Sequence, residues 1–210
     1  IAPAPVSAAE CTGWNSTLQP PTTIRVLRTQ GASAGRVQTV NFRDYVNIVM
    51  PAELGPQHPR EMLRAQAVAI KQYAWYHALQ GPRRMKDGRC FDVRDGIQDQ
   101  LYRPGKSRVR QDHYDAVDAT WGVTLIKYDK FFMTGYRRGY KGRCGRDANG
   151  WKLFARTGTR CAYSGKDYLQ ILRIYYGPDL TIRHASKTSS SAQASFSAQA
   201  PTRSVLLNVL

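Results

Sequence analysis

The feature that most constrains the fold is an uninterrupted run from Pro59 to Leu79, "PREMLRAQAVAIKQYAWYHAL". After its first residue it has neither glycine nor proline, and Leu63, Ala67, Ile70 and Ala74 recur at helical spacing. Pro59 suits the first helical position, where a backbone N–H has no partner to lose. Glu61 suits the positive end of the helix dipole. The spacing predicts a long helix over residues 59–79, and a chain of 210 residues can bury a real core around it.

The segments before it read as extended. "TIRVLRT", "RVQTVNF" and "DYVNIVM" are rich in β-branched and aromatic residues, and Gly31 and Gly35 punctuate the first two. The expected arrangement is a hairpin feeding a third extended segment, which one carboxylate, Glu53, closes just before the helix. Further helices are expected near Arg108–Thr120 and in "KDYLQILRIYY", the latter stopped by Gly177-Pro178. "VTLIKYDKFFMTGY" reads as another hairpin, turning near Tyr128–Lys130. The expected fold class is α+β: one domain over residues 23–184, with mixed hairpins and three to four helices. Residues 1–22, rich in Pro, Ala, Ser and Thr, read as a loosely held arm, and 185–210 as a low-complexity, disordered tail. The opening "IAPAPVSAAE" has no charged n-region or apolar h-region, so it reads as the start of a mature or trimmed chain.

Lysine and arginine outnumber aspartate and glutamate by 31 to 15, a formal charge of +16. That charge implies polyanionic surroundings: nucleic acid, an anionic membrane surface or anionic wall polymers. No apolar run approaches the length of a membrane span. Cys11, Cys90, Cys144 and Cys161 form no C-x-x-C pair, which argues against a thiol zinc knuckle or a thioredoxin-like site. Their even number and wide spacing suit two disulfides in an oxidising compartment. Of three possible pairings, Cys144–Cys161 with Cys11–Cys90 is preferred, the first for proximity in sequence; four buried thiols are the alternative.

"RDYVNIVMPAELGPQHPREMLRAQAVAIKQYAWYHA" resembles the heart of the stage II sporulation protein D family, which includes amidase enhancers. In that family an extended "YV…V.PAE" segment precedes a helix carrying "A-Q-A-V-A-A-R-S/T-Y-A". Tyr45, Val46, Pro51, Ala52 and Glu53 match the first half; Ala65, Gln66, Ala67, Val68, Ala69, Tyr73 and Ala74 match the second. "DVRDGIQDQLY", "AVDATWGVTLIKYDKFF" and "SGKDYLQILRIYYGPDLTI" resemble later family segments in the family's order, so the resemblance runs from about Thr23 to Ile182.

The resemblance implies a groove that binds peptidoglycan glycan strands and a lytic transglycosylase reaction, with Glu53 as the catalytic acid. The chemistry makes sense of a lone acid. Ordinary glycosidases use two carboxylates. In a lytic transglycosylase the muramoyl C6 hydroxyl attacks its own anomeric carbon, so one group can serve as acid and then as base. The apolar neighbours Val49, Met50, Ala52 and Leu54 would raise the Glu53 pKa by desolvation. Gln66, Lys71, Tyr73, Gln100 and Tyr102 fall in matching segments and are the candidates for holding substrate. For each, a packed or solvated residue is the plainer alternative; Lys71 stands where the family has arginine. Trp75, Tyr76 and His77 read as core.

The departures from the family lie downstream. Relatives place His and Cys metal ligands around the "D…Q-V-Y" segment, whereas here Cys90 has no nearby histidine, so neither a metal nor a cofactor is expected. The family's "S-x-S-G-G" loop is replaced by "TGYRRGYKGRCGRDANG", and its "G-H-G" segment by "ANGWKLFARTGTRCA". Arg137, Arg138, Lys141, Arg143 and Arg146 crowd the first of these, as a reader of anionic wall polymer or as a solvated charge run. Peptidoglycan, anionic wall polymers and other wall hydrolases are the expected partners, outside the cytoplasm. Two other classes remain open: a non-catalytic glycan binder or amidase enhancer, and a nucleic-acid module reading through "YRRGYKGR".

Overall fold

The computed structural model describes residues 11–55 and 57–185. The expected tail beyond Ala185 and the first ten residues of the expected arm lie outside the described residues. Strand β1 (Thr23–Leu27) pairs antiparallel with β2 (Val37–Asn41), Thr23 facing Asn41, as the hairpin reading expects. Ile24 and Val26 point from β1 into the core, the period of two that a half-buried strand requires.

The "DYVNIVM" segment is not extended. It forms helix α1 (Phe42–Leu54), so Glu53 stands in the last turn of a helix. Asn41 caps it, its side-chain oxygen accepting the N–H groups of Arg43 and Asp44. Phe42, Tyr45, Val46, Val49 and Met50 are fully buried at i, i+3, i+4, i+7 and i+8. A capped start and a continuous apolar stripe outweigh the strand preference of valine and tyrosine. Pro51 forfeits only one intrahelical bond near the end, and Gly55, at φ 88°, closes the helix with its N–H on the Pro51 carbonyl.

Helix α2 (Arg60–Leu79) spans ~30 Å, with Pro59 as its N-cap. It is buried nearly all round because it runs between two cores. Leu63, Ala67, Ile70, Ala74 and Trp75 face α1, β1 and helix α3 (Gln111–Thr120). Met62, Ala65, Val68 and Ala69 face the opposite side. There β6 (Val123–Lys127) pairs antiparallel with β7 (Lys130–Phe131) and β10 (Leu180–His184), and helices α4 (Ala155–Tyr163) and α5 (Tyr168–Tyr176) pack. The three two-residue strands between α2 and α3 are β3 (Arg83–Arg84), β4 (Cys90–Phe91) and β5 (Val93–Arg94), β5 running parallel to β1. A short parallel pair, β8 (Gly135–Arg137) and β9 (Lys152–Phe154), leads into α4.

The class is α+β, with five α-helices among the described residues instead of three to four. Beyond the three helices located in the sequence, the additional ones are α1 and α4, the latter in a stretch the sequence reading treats as a replaced loop. "ARTGTRCAY" has too few apolar residues for a visible stripe. Its place is set from outside, by the bond from Cys161 to Cys144 and by Gly158, where an added Cβ would lie 2.8 Å from Met62 Sδ. The β6–β7 hairpin turns at Tyr128 and Asp129, both at positive φ, which suits a two-residue type I′ turn.

Polar side chains staple α2 to its neighbours. The buried Gln72 side chain pairs with the Leu125 N–H and carbonyl, extending the β6 edge onto the helix. Lys71 Nζ donates to the Thr120, Trp121 and Val123 carbonyls at 3.1, 2.5 and 2.7 Å, closing the α3–β6 corner. Two disulfides have the preferred pairings. Cys11–Cys90 fastens the N-terminal segment to β4, and Cys144–Cys161 fastens the basic loop to α4. Residues 11–22 are further held by Trp14 N–H on the Ala78 carbonyl and Trp75 Nε1–H on the Ser16 carbonyl.

Candidate active site

The last turn of α1 points the Glu53 carboxyl into an open cleft of about 290 Å³. Its walls come from α2 (Tyr73), the 97–101 segment, and the β8–β9 pair (Gly135, Tyr136, Arg137, Lys152). Gly135 lets the ribbon close here, since a Cβ would stand 2.9 Å from Lys152 Cγ and 3.0 Å from the Trp151 carbonyl oxygen. Ile97, 88% exposed, and Met133 form apolar lips.

Glu53 Oε1 accepts the Leu101 N–H at 2.7 Å. Behind it Gln100 is fully buried and distributes three hydrogen bonds. Its carbonyl accepts the Tyr45 hydroxyl at 2.8 Å, while its amide donates to the Ile70 carbonyl at 3.1 Å and to Tyr136 Oη at 2.9 Å. Because Tyr136 accepts from Gln100, its own proton remains for Glu53. Burial raises the Glu53 pKa above the ordinary carboxyl value; the Leu101 N–H, the Tyr136 hydroxyl, Arg103 and Arg137 oppose that rise without cancelling it. Tyr73 is pushed up to about 12 and Tyr45 well above its ordinary value, in both cases chiefly by burial, so both are neutral hydroxyls.

A second carboxylate, Asp99, lines the same cleft but is fully engaged. It accepts two bonds from the Arg83 guanidinium, at 2.6 and 3.2 Å, and the Arg94 N–H at 2.6 Å. A bidentate arginine fixes the position of the carboxylate and occupies its oxygens. Glu53 has no such ion pair among the described residues.

Of the expected site residues, the cleft unites Glu53 and Tyr73, with Gln100 behind them. Tyr102 lies outside it, stacked on Tyr45 at 5.2 Å between ring centres, and lines a neighbouring hollow of about 490 Å³ with Arg28 and Arg103. Gln66 is buried in α2 and does not line the cleft; its side-chain oxygen has no partner among the described residues. Lys71 is 1% exposed and committed to the α3–β6 corner. Burial, with a smaller contribution from Arg43, lowers its pKa to about 7. Leu101 was missed because it acts through its backbone, and Tyr136 because "MTGYRRGY" matches no family segment. A partly buried aromatic next to a glycine that admits a neighbouring strand has no signature in sequence alone. The basic loop divides: Arg137 enters the cleft, Lys141 lines a different hollow, and Arg146 lies 4.0 Å from Asp147.

Fold and cleft together define an α+β protein that holds one unpaired carboxylic acid, backed by a tyrosine–glutamine network, in an open groove. Residues 30–127 match the family model for SpoIID, stage II sporulation protein, so the chain carries a SpoIID-family domain over that segment. An uncharacterized protein of Brachyspira hyodysenteriae is 39% identical over 84 residues, covering 40% of this chain. The chain spans 22% of that relative's length. The domain family supports a function connected with the cell wall. The matched segment holds Glu53, Tyr73, Asp99 and Gln100; the wall formed by Tyr136, Arg137 and Lys152 lies beyond it. No helix among the described residues is long and apolar enough to cross a membrane. Two disulfides fit an oxidising compartment.

Proposed function

We propose that the cleft cleaves peptidoglycan glycan by lytic transglycosylation, with Glu53 as its single acid and base. Glu53 first gives its proton to the glycosidic oxygen as the bond from the muramoyl C1 to that oxygen breaks. The muramoyl C6 hydroxyl then bonds to C1, and its proton passes to Glu53. The products are a 1,6-anhydromuramoyl end and a free hydroxyl on the leaving sugar; no water is consumed and the enzyme recovers its starting proton.

The observation that carries this reading is the contrast between the two cleft carboxyl groups. Glu53 has a raised pKa and no cation paired to it, as a general acid needs. Asp99 is locked by Arg83 and Arg94, which leaves no second free carboxylate for a nucleophile or water-activating base. The Leu101 N–H and the Tyr136 hydroxyl stabilise the carboxylate after its proton has left, which keeps the acid from being too weak to cycle. The disulfides support an activity outside the cytoplasm.

Glu53→Gln keeps the shape of the side chain but cannot cycle a proton. The variant should bind glycan and release no anhydromuramoyl product from purified wall glycan. Turnover within a few-fold of the unmodified protein would remove Glu53 from the mechanism. Glycan binding without product from the unmodified protein would leave a binder in place of an enzyme.

A further inference from the structure

A second hollow is walled by His58, Lys141, Gly142, Arg156, Thr159, Arg160 and Tyr163, with a volume of about 560 Å³. Arg156 and Arg160 are one helical turn apart on α4, which sets their side chains on one face about 6 Å apart at Cβ. Lys141 faces them from the basic loop, and the Cys144–Cys161 bond ties that loop to α4. None of these three cations has an ion pair or a side-chain hydrogen bond among the described residues. Elsewhere Asp92, Asp95 and Asp99 are each paired with an arginine.

The floor of the hollow is held by His58. His58 Nε2 sits 3.0 Å from the Leu54 carbonyl, and Nδ1 sits 2.8 Å from Thr159 Oγ1. Thr159 gives its own proton to the Ala155 carbonyl, leaving Oγ1 to accept. Leu54 follows Glu53 directly, so His58 anchors the hollow to the turn that carries the acid. A second link runs through the β8–β9 ribbon. Arg137 lines the cleft, and the Arg156 N–H binds the carbonyl of the next residue, Arg138, at 3.1 Å.

We propose that this hollow is a carboxylate subsite for the same wall glycan, reading an acidic group one or two sugars from the bond cleaved at Glu53. The assignment rests on the glycan reading of the cleft. The space exceeds what a bare phosphate fills and falls in the range of pockets that take a sugar-sized ligand. The Tyr163 ring, 71% exposed, gives an apolar face for a sugar ring beside the charges. Glycan strands carry such carboxylates on the lactyl group of each muramoyl residue once its peptide is removed.

The test uses the full chain with Glu53→Gln, so that substrate is bound and not consumed. Two soluble glycan oligomers of equal length serve as probes, one with free lactyl carboxylates and one with them converted to methylamides. Calorimetry should show about tenfold tighter binding of the acid form, as expected for one or two charge-assisted hydrogen bonds. Adding Arg156→Gln and Arg160→Gln should bring the ratio of the two affinities to near one, with the melting temperature checked on the same sample. Equal affinities without those changes, or a preference that survives them, would overturn the subsite. A polyphosphate that displaces the acid glycan at equal charge concentration would also overturn it, in favour of generic anion binding. Failure of the glycan reading itself shows separately, as no anhydromuramoyl product from the chain with Glu53 intact.

Discussion

Replacing Tyr136 by Phe isolates one hydroxyl in the acid's surroundings. The phenyl ring keeps its place against Tyr73, 6.2 Å away between ring centres. The Gln100 amide keeps one N–H on the Ile70 carbonyl, while its second N–H loses the acceptor that the Tyr136 hydroxyl supplied. The cost to folding should therefore be about 1–3 kcal/mol. Glu53 loses a donor that favours its ionised form while keeping the Leu101 N–H. A hydrogen bond to a charged group contributes roughly 1.5–3 kcal/mol, and the open cleft reduces that to about 1.4 kcal/mol, or one pKa unit. The shift is upward, because the charged form is the one that loses support. The assay is kcat/KM against pH on a soluble glycan, where the alkaline limb reports loss of the proton from the free enzyme's acid. That limb should move about one unit to higher pH, while its low-pH plateau falls only modestly. A limb that stays in place, or moves to lower pH, would show that the Tyr136 hydroxyl does not support the Glu53 carboxylate.

Other expectations follow from the same geometry. Glu53 has a folded pKa above its unfolded value, so the native state holds its proton longer and stability falls as pH rises from the unfolded value through the folded one. Glu53→Gln removes that dependence, so its melting temperature should exceed that of the unmodified protein at neutral pH and approach it near pH 4; equal melting temperatures at both would contradict the buried acid. Lys71→Ala leaves three buried carbonyls without a donor and should cost about 3 kcal/mol in urea unfolding, with turnover per folded molecule nearly unchanged; a loss of turnover without a loss of stability would return Lys71 to the site. Changing Cys144 and Cys161 together to Ala should cost about 3 kcal/mol through loop entropy and raise amide exchange between residues 138 and 150 first; unchanged exchange would mean that other contacts hold the loop.

What could be read from the residues follows from where the information resides. Helix α2 was legible because its stripe, its proline start and its freedom from breakers agree. Helix α1 was not, because Tyr45, Val46, Ile48 and Val49 favour strands one by one, and only the i, i+3, i+4 set together with Asn41 reveals the helix. Helix α4 was invisible for the opposite reason: its residues state almost nothing, and a disulfide and Gly158 place it from outside. Within the cleft, Glu53 stood out as a lone acid in an apolar run. The groups that tune it came from a backbone N–H and from a tyrosine on β8, 83 residues away in the chain, and only tertiary structure brings them together. Lys71 and Gln66 sit in the most recognisable motif, yet the fold places both inside the protein.

The most direct test of a single-carboxylate cleft is the mass of the glycan ends formed in water enriched in the heavy oxygen isotope. Purified glycan strands would be digested by the full chain, by Glu53→Gln and by Asp99→Asn. The expected result is anhydromuramoyl ends with no heavy oxygen from the unmodified protein, none from Glu53→Gln, and the same anhydro chemistry from Asp99→Asn at whatever rate that variant retains. Reducing ends that carry the heavy isotope would mean that water attacks the anomeric carbon, and would contradict the assignment of Glu53 as sole acid and base.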